Sequence, residues 1–445
     1  MKQKLVELDK KHFIHPSSSI QQQLEQGPKT IFDKGENIYL TDKNGNEFIE
    51  AMSSLWNVNV GYGRQELADA AAKQLKKLAF TSSFSSFSNE PAILLAEKIS
   101  SISPQSLNAV FFTSGGSESN DSAIKLARHY WRIQGKPNKR KIVARKRGYH
   151  GVSSASTSAT GIPEFWEMAG RGEDEFIHAK APFEITVNES IQSLVDTIES
   201  VGSKNIAAFI GEPIMGAGGV IIPPKEYIQQ LREVCNQYNI LYIDDEIICG
   251  FGRTGKMFGI EQYDVIPDMI TFAKGVTSGY IPLGGVIISD QIHEVLKIKS
   301  KGVMMHGFTY SGHPTSAAVA LKNIEIIENE NLVENSKNMG KVLSEKLKKL
   351  QSNLKHVSNI RSMGLIGALE MVKNPEINER FSPHEKVASQ IIESLFQKGV
   401  ISRAVTYDGT DIICFCPPLI INEEQLNDMM NRVYQAIQEV EKKLI

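Results

Sequence analysis

Apolar and polar residues alternate through ENIYLTDKNGNEFIEA (36–51), and the alternation breaks at Asn44-Gly45. That dipeptide supplies the backbone of a tight hairpin turn, so an early β-hairpin is predicted. From there to about residue 325, short apolar runs recur: VFFT (110–113), KIVAR (141–145), AAFIG (207–211), ILYID (240–244), MITFA (269–273) and GGVII (284–288). Stretches of helical period lie between several of them, most clearly at 65–79, 118–133 and 225–238. Runs that stay apolar without alternating suit strands covered on both faces, which predicts an α/β fold with a large, mainly parallel sheet between helices. The texture changes after SAAVALKNIEIIENE (316–330). A Lys/Glu/Asn-rich helix at 333–351, a strand-like GLIGALEMV, a helix near 384–398, two more strands and an amphipathic helix at 423–443 predict a smaller α+β domain. The expected division is an N-terminal segment (1–60) packing with the small domain, a large domain (61–328) and the C-terminal small domain (329–445), because neither terminal piece alone has enough apolar surface for a core.

Composition narrows the function rather than the fold. The chain has 445 residues, 41% hydrophobic and 22% charged, within the globular range and long enough for two domains. Lys plus Arg number 49 against 51 Asp plus Glu, a net charge of -2, so no strong field draws in nucleic acid or an anionic membrane. Any anion site is therefore local. The start, MKQKLVELDKKHF, has no apolar h-region and no run reaches the length of a membrane span, so a cytoplasmic protein is expected. Cys235, Cys249, Cys414 and Cys416 lack paired spacing and are read as reduced thiols, the last two facing one side of a buried strand.

In an open α/β sheet, ligands gather where strands end, and four such places carry candidate chemistry. VFFT runs into Gly115-Gly116-Ser117 and then a helix, which suits a phosphate cradle or an ordinary capped turn. ILYIDDE ends in Asp244, Asp245 and Glu246, carboxylates that could cap, bind a metal or pair with a cation. The following GFGRTG matches a dinucleotide fingerprint, but KMFGIEQYDVIPDM after it has no helical period, which disfavours a nicotinamide enzyme. Lys274 ends the apolar run MITFA, where desolvation would make it an amine nucleophile, with a salt bridge to Asp245 as the alternative. RGYHG (147–151) and HGFTYSGHP (306–314) place rings beside glycines, as stacking on a flat ligand would need. His150, His306 and His313 have no helical spacing that would support a metal site.

Taken in order, NVGYGR (59–64), SGGSESND (114–121), YHG (149–151), EPIMGAGG (212–219), DEIICGFGRTG (245–255), FAKGVTSGYIPLGG (272–285), TYSGHP (309–314) and CPPL (416–419) resemble the class III, or omega, aminotransferases of the fold-type I pyridoxal-phosphate enzymes. The resemblance implies that Lys274 is the Schiff-base lysine and Asp245 the partner of the cofactor's pyridine nitrogen. It implies that Gly116 and Ser117 hold the phosphate, that Tyr149 and Ile247 lie against the two ring faces, and that Glu212 sits near the cofactor's hydroxyl. Thr309 would reach the phosphate of a neighbouring subunit, which implies a homodimer. Leu55 and Trp56 would line the donor side, with Phe84 or Phe87 completing the wall. Arg403 falls where the pyruvate-using branch carries a carboxylate-gripping arginine, although Ala404 and a longer TYDGTD segment depart from the family's pattern. The implied reaction is ping-pong transfer from an amine or ω-amino acid to a keto acid, with pyruvate the expected acceptor and Lys274 moving the proton. A 7,8-diaminopelargonate-type aminotransferase, or a mutase or decarboxylase on the same fold, stands as the alternative.

Overall fold

The computed structural model describes residues 2–168, 170, 172 and 174–444. Strands β1 (Phe32–Glu36), β2 (Tyr39–Asp42) and β3 (Glu47–Glu50) form an antiparallel meander. The predicted hairpin is its second half. One oxygen of Asp42 accepts the backbone N–H groups of Asn44 and Asn46 at 2.8 and 2.9 Å, which fixes the turn around Gly45.

The large sheet contains β4 (Leu107–Thr113), β5 (Lys141–Arg145), β6 (Phe176–Ala179), β7 (Ile206–Gly211), β8 (Leu241–Asp245), β9 (Met269–Phe272) and β10 (Gly284–Ser289). Their order is β4-β10-β9-β8-β7-β5-β6, and only β10 runs antiparallel to its neighbours. Every residue of β7, β8, β9 and β10 is buried, which explains runs that never alternate. The expected helices appear as Gln65–Lys77, Gly116–Ile133 and Lys225–Gln237.

Several elements escaped the periodicity, among them helices Lys2–His12, Ile20–Gln26, Ser154–Ala159 and Asp290–Lys299 and the four that follow. Strand β6 is only four residues at the sheet edge. Helix Glu90–Ile102 begins at Asn89, whose side chain accepts Ala92 N–H at 3.0 Å. Helix Val187–Val201 begins at a Thr186/Glu189 capping box, a signature present in TVNE. The fourth is β11 (Val357–Met363), which pairs with β12 (Ile366–Met371).

The run GVISRAV is divided between two sheets. Val400–Ile401 (β13) pairs in parallel with β3, while Arg403–Val405 (β14) pairs with β15 (Ile412–Phe415) in the sheet β11-β12-β15-β14. That division ties the N-terminal meander to the C-terminal elements. Helices Leu332–Asn353, Val387–Gln397 and Glu423–Leu444 cover them. The second starts three residues later than its apolar pattern suggests, because Pro383–Glu385 forms a separate 3-10 turn and Lys386 (φ 49) is left-handed.

Phe251, Phe258 and Phe272 are fully buried, with Phe251 5.6 and 6.0 Å from the other two ring centroids. Each such side chain stabilises the fold by about 1.5–3 kcal/mol. Arg253 is a polar hub among them. Its guanidinium donates to the carbonyls of Leu365 and Pro417 at 2.9 and 2.5 Å, and to Ser53 Oγ and Asn59 Oδ1 at 3.2 and 2.8 Å. The GFGRTG run therefore staples three parts of the chain together. It enters turns and a 3-10 segment (Gly259–Tyr263) rather than a helix, so it lacks the strand-to-helix geometry of a dinucleotide loop. Among the described residues, no helix is long and apolar enough to cross a membrane.

Candidate active site

One cavity of about 540 Å³ opens at the carboxyl ends of the parallel strands, and its lining includes Leu55, Trp56, Gly116, Ser117, Tyr149, Glu212, Asp245, Ile247, Lys274 and Arg403. Ten of the residues singled out in the sequence thus converge, from seven separate parts of the chain. Thr309 and Phe84 do not line it.

Side-chain alternation along β8 sorts its three acids. Asp245 faces the cavity, where its Oδ2 accepts Asn120 Nδ2 at 2.7 Å and pairs with His150 Nδ1 at 2.8 Å, and its Oδ1 accepts Ile247 N–H at 3.2 Å. Asn120 is itself held by Thr271 Oγ1 at 2.8 Å and donates to the carbonyl of His150 at 2.7 Å. Asp244 and Glu246 point the other way. Glu246 accepts the backbone N–H groups of Gly259 and Ile260 at 2.8 and 2.7 Å, and burial pushes its carboxyl up to about 7. Asp244 accepts Tyr242 Oη at 3.2 Å and is raised well above its ordinary value by burial and by neighbouring Glu246. These two acids support the strand end that presents Asp245.

Lys274 follows β9 in a left-handed conformation (φ 47), a sparsely populated state for a side-chain-bearing residue that costs roughly 1–3 kcal/mol. Among the described residues, no carboxylate pairs with its ammonium within 4.0 Å, so the salt-bridge alternative does not hold. Asp245 already spends its acceptors on Asn120, His150 and Ile247. Burial lowers the Lys274 pKa to about 8, against the opposing pull of the Asp245 and Glu212 charges. Glu212 accepts Tyr149 N–H at 3.0 Å and Gly216 N–H at 3.1 Å, and burial raises it to about 7.

The Gly115-Gly116-Ser117 turn starts an 18-residue helix whose first N–H groups have no helical partner. A Cβ at Gly115 would meet nothing within 4 Å, whereas one at Gly116 would come within 2.9 Å of Ile247. Ser117 Oγ accepts Val152 N–H at 3.0 Å, and Gly151 (φ +129) leaves room for it, since a Cβ there would lie 2.5 Å from that oxygen. Glycine at these positions lets a phosphate-sized group reach the N–H groups at the helix start. Trp56 is 2% exposed and packed with Met52 and Ile248, and it still forms part of the cavity wall. Ser53, Ser54 and Trp56 all have positive φ, which turns this short segment into the cavity.

The rings of the loop 306–314, expected to stack on a flat ligand, do not line the cavity. His306 pairs with Ser122 Oγ at 2.9 Å and stacks on Phe111, and His313 Nδ1 accepts Thr315 N–H at 3.1 Å as a helix cap. Neither ring lines the cavity, and His150 meets Asp245 through a ring nitrogen. The exposed Phe84 and Thr309 lie on adjoining surface loops, joined by a Ser83 Oγ bond to the Ser311 carbonyl at 3.0 Å. Phe84 as a wall of its own chain's pocket is therefore not observed. Sequence reasoning missed Asn120, Pro16, Ser17 and Phe165, of which the last three line the cavity. Asn120 alone left a signal, one helical turn after Gly116 on the inward face.

The profile of the family described as Aminotransferase class-III matches residues 21–437. The chain belongs to the class III aminotransferases. It is 40% identical over 439 residues to the putrescine–pyruvate aminotransferase of Pseudomonas aeruginosa, covering 95% of this chain and 93% of that one. A transaminase from the marine bacterium Virgibacillus superposes with a TM-score of 0.99 at 62% identity, covering 99% of this chain and 100% of the other. The omega transaminase of Pseudomonas jessenii, solved in complex with PMP, superposes with a TM-score of 0.95 at 37% identity and 98% coverage of both chains. This aminotransferase is accordingly an α/β enzyme of fold-type I that depends on pyridoxal phosphate. Its cavity fits that group: an open glycine turn at a helix start suits a phosphate, a buried carboxylate suits a protonated ring nitrogen, and a lysine that loses its proton readily suits an aldehyde.

Proposed function

We propose that this aminotransferase moves the amino group of a primary amine or ω-amino acid to a keto acid, with pyruvate the acceptor, and that Lys274 is the residue that moves the proton. The observation that carries the reading is the pairing, in one cavity, of an easily deprotonated Lys274 with a carboxylate, Asp245, that three donors hold in place.

Pyridoxal phosphate, when bound, supplies a conjugated ring that takes up the electron pair left when a proton leaves the amine-bearing carbon. The N–H groups of Gly116 and Ser117 would hold its phosphate, Tyr149 and Ile247 would flank its ring, and Asp245 would keep its ring nitrogen protonated. Glu212, fixed by Tyr149 and Gly216, lines the hydroxyl side. Lys274 Nζ, neutral above about pH 8, accepts the substrate's proton and returns it. Leu55, Trp56 and Phe165 give the substrate end an apolar wall that excludes water, and the Arg403 guanidinium offers a fork for a carboxylate. The relative's name, a putrescine–pyruvate aminotransferase, supports an amine donor and pyruvate.

A homodimer belongs to the same reading. Phe80, Phe84, Phe87, Met305 and Tyr310 are all exposed, Phe87 at 69% and Met305 at 88%, a concentration of apolar surface that suits a protein interface. Burying it against a second copy would bring the partner's Thr309 and Phe84 to the cavity.

The donor screen pairs putrescine, β-alanine and a simple monoamine with pyruvate or 2-oxoglutarate and measures the amino acid formed. Alanine is the expected product. Formation of glutamate alone would sink the pyruvate assignment and leave the family untouched. A second expectation concerns pH. Lys274 with a pKa of about 8 is roughly one-tenth neutral at pH 7, so capture of pyridoxal phosphate by the apoprotein should speed up about tenfold per pH unit up to neutrality and level off above about pH 8.5. Stopped-flow absorbance reads this directly, and a rate flat between pH 6.5 and 8.5 would remove the neutral amine from the account.

A further inference from the structure

Glu50 ends β3 inside the protein, 1% exposed, and the proton transfer at Lys274 makes no use of it. Burying a carboxyl is costly unless its oxygens find donors. Both of them do. Oε1 accepts Met52 N–H at 3.0 Å, and Oε2 accepts the Tyr62 hydroxyl at 3.3 Å. Burial pushes the carboxyl up to about 7, so near neutral pH it acts through its shape and acceptors as much as through its charge.

These two bonds hold the turn that follows. Ser53, Ser54 and Trp56 stand at φ 48, 60 and 64, a left-handed conformation that costs roughly 1–3 kcal/mol per residue and persists only where the surroundings enforce it. Met52 is the entry to that turn. Its N–H goes to Glu50 and its carbonyl accepts Trp56 N–H at 3.0 Å, so a continuous path of hydrogen bonds runs from Glu50 to Trp56. From the far side, Asn57 Oδ1 accepts Leu55 N–H at 3.2 Å. Leu55 and Trp56 are the residues that this turn delivers to the cavity, whereas Glu50 itself does not line it. Tyr62 ties the other carboxyl oxygen to the N-terminal sheet. Its backbone exchanges hydrogen bonds with Asn37 at 2.8 and 3.1 Å, and its ring lies 2.8 Å from where a Cβ on Gly35 would stand.

We propose that Glu50 is a positioning residue for the donor-side wall: joined to Met52 and Tyr62, it fixes the turn that sets Leu55 and Trp56 against the cavity, and so sets how strongly long apolar amines are favoured over short ones. The inference rests on the proposed reading that an amine donor enters the cavity on this side.

The test follows single-turnover bleaching of the holoenzyme's visible absorbance by hexylamine and by ethylamine, which needs no keto acid, and takes the ratio of the two second-order rate constants. Glu50→Ala leaves Met52 N–H and the Tyr62 hydroxyl without their buried acceptor, and the preference for hexylamine should fall about five- to tenfold. Glu50→Gln keeps the shape and an acceptor for Met52 N–H, so it should hold the parent ratio within about twofold. Tyr62→Phe should shift the ratio in the same direction by less, and it carries the test where Glu50→Ala fails to fold. In a Trp56→Ala background, Glu50→Ala should add nothing to the ratio. A crystal structure of Glu50→Ala should show residues 52–56 displaced. A ratio unmoved in Glu50→Ala and Tyr62→Phe, even where both rates fall, would overturn the inference, as would an equal shift without Trp56, a Glu50→Gln as impaired as Glu50→Ala, or a parent with no preference for hexylamine. A parent bleached by neither amine would sink the donor reading and the inference with it, whereas a parent bleached by both leaves that reading standing whatever the variants show.

Discussion

Lys274→Ala should lose at least about three orders of magnitude in kcat and the visible absorbance of the holoprotein, while folding as the parent does. A positioned base that takes and returns a proton contributes about 10²–10⁴-fold, and losing the residue that captures the cofactor adds to that. The fold should survive for a structural reason. Among the described residues the ammonium forms no ion pair, and it sits desolvated at the end of β9 in a left-handed conformation that alanine shares with lysine in cost. Removing it breaks no described salt bridge, so stability should stay within about 1 kcal/mol. Lys274→Arg provides the complementary control, because a guanidinium keeps the charge and cannot act as a neutral amine near neutral pH. Adding a small primary amine to Lys274→Ala should restore part of the rate, whereas it should do nothing for Lys274→Arg, whose side chain fills the space. Rates, absorbance spectra and thermal unfolding measured on both variants decide the matter. More than a few per cent of parent activity in Lys274→Ala would remove Lys274 from the chemistry.

The sequence was most informative where chain order and chemistry coincide. Asp245 ends a strand of the mainly parallel sheet and Lys274, Gly116 and Ser117 each follow one, and in that architecture strand ends share one face, so a linear reading already groups them. His150 was visible beside glycine, but its role was not. Its partner Asp245 lies 95 positions away, and only the order of strands β8, β7 and β5 brings the two within 2.8 Å. Pro16 and Ser17 were illegible for a different reason, since an exposed segment without period reaches the cavity through folding of the whole N-terminal region. The GFGRTG run shows the reverse error that pattern invites. Its arginine is a structural hub, and only the turns after it separate this use from nucleotide binding. Helices Glu90–Ile102 and Val187–Val201 were recoverable from their caps, and the periodicity alone hid them. Thr309 and Phe84 lie on exposed loops away from the cavity, so no reading of strand ends along one chain could connect them to it.

Asp245→Asn should be the second most damaging substitution, costing roughly 10²–10³ in kcat, the scale seen when one preorganised electrostatic partner is lost. The carboxylate is the acceptor for three donors, Asn120 Nδ2, His150 Nδ1 and Ile247 N–H, which hold it at one orientation in the cavity. Asparagine keeps the shape and removes the charge, and one of its two positions must present an NH₂ to that donor-rich shell. On the proposed reading, a ring nitrogen without that negative charge would no longer be held protonated, so proton removal by Lys274 would become slower while binding of the donor would change little. The expected signature is therefore a fall in kcat with a rise in the isotope effect for an α-deuterated donor, because the proton-transfer step becomes more fully rate-limiting. Asp245→Ala is the harsher change, leaving Asn120 and His150 without their acceptor in a buried site at a cost of roughly 1–3 kcal/mol. The two variants separate chemistry from support: the Asn form, which leaves at most one buried donor facing an NH₂, should lose rate with a smaller loss of stability than the Ala form. A kcat in Asp245→Asn within about threefold of the parent would mean that the buried carboxylate serves only to anchor His150 and Asn120, and the electrostatic role would have to be assigned elsewhere in the cavity.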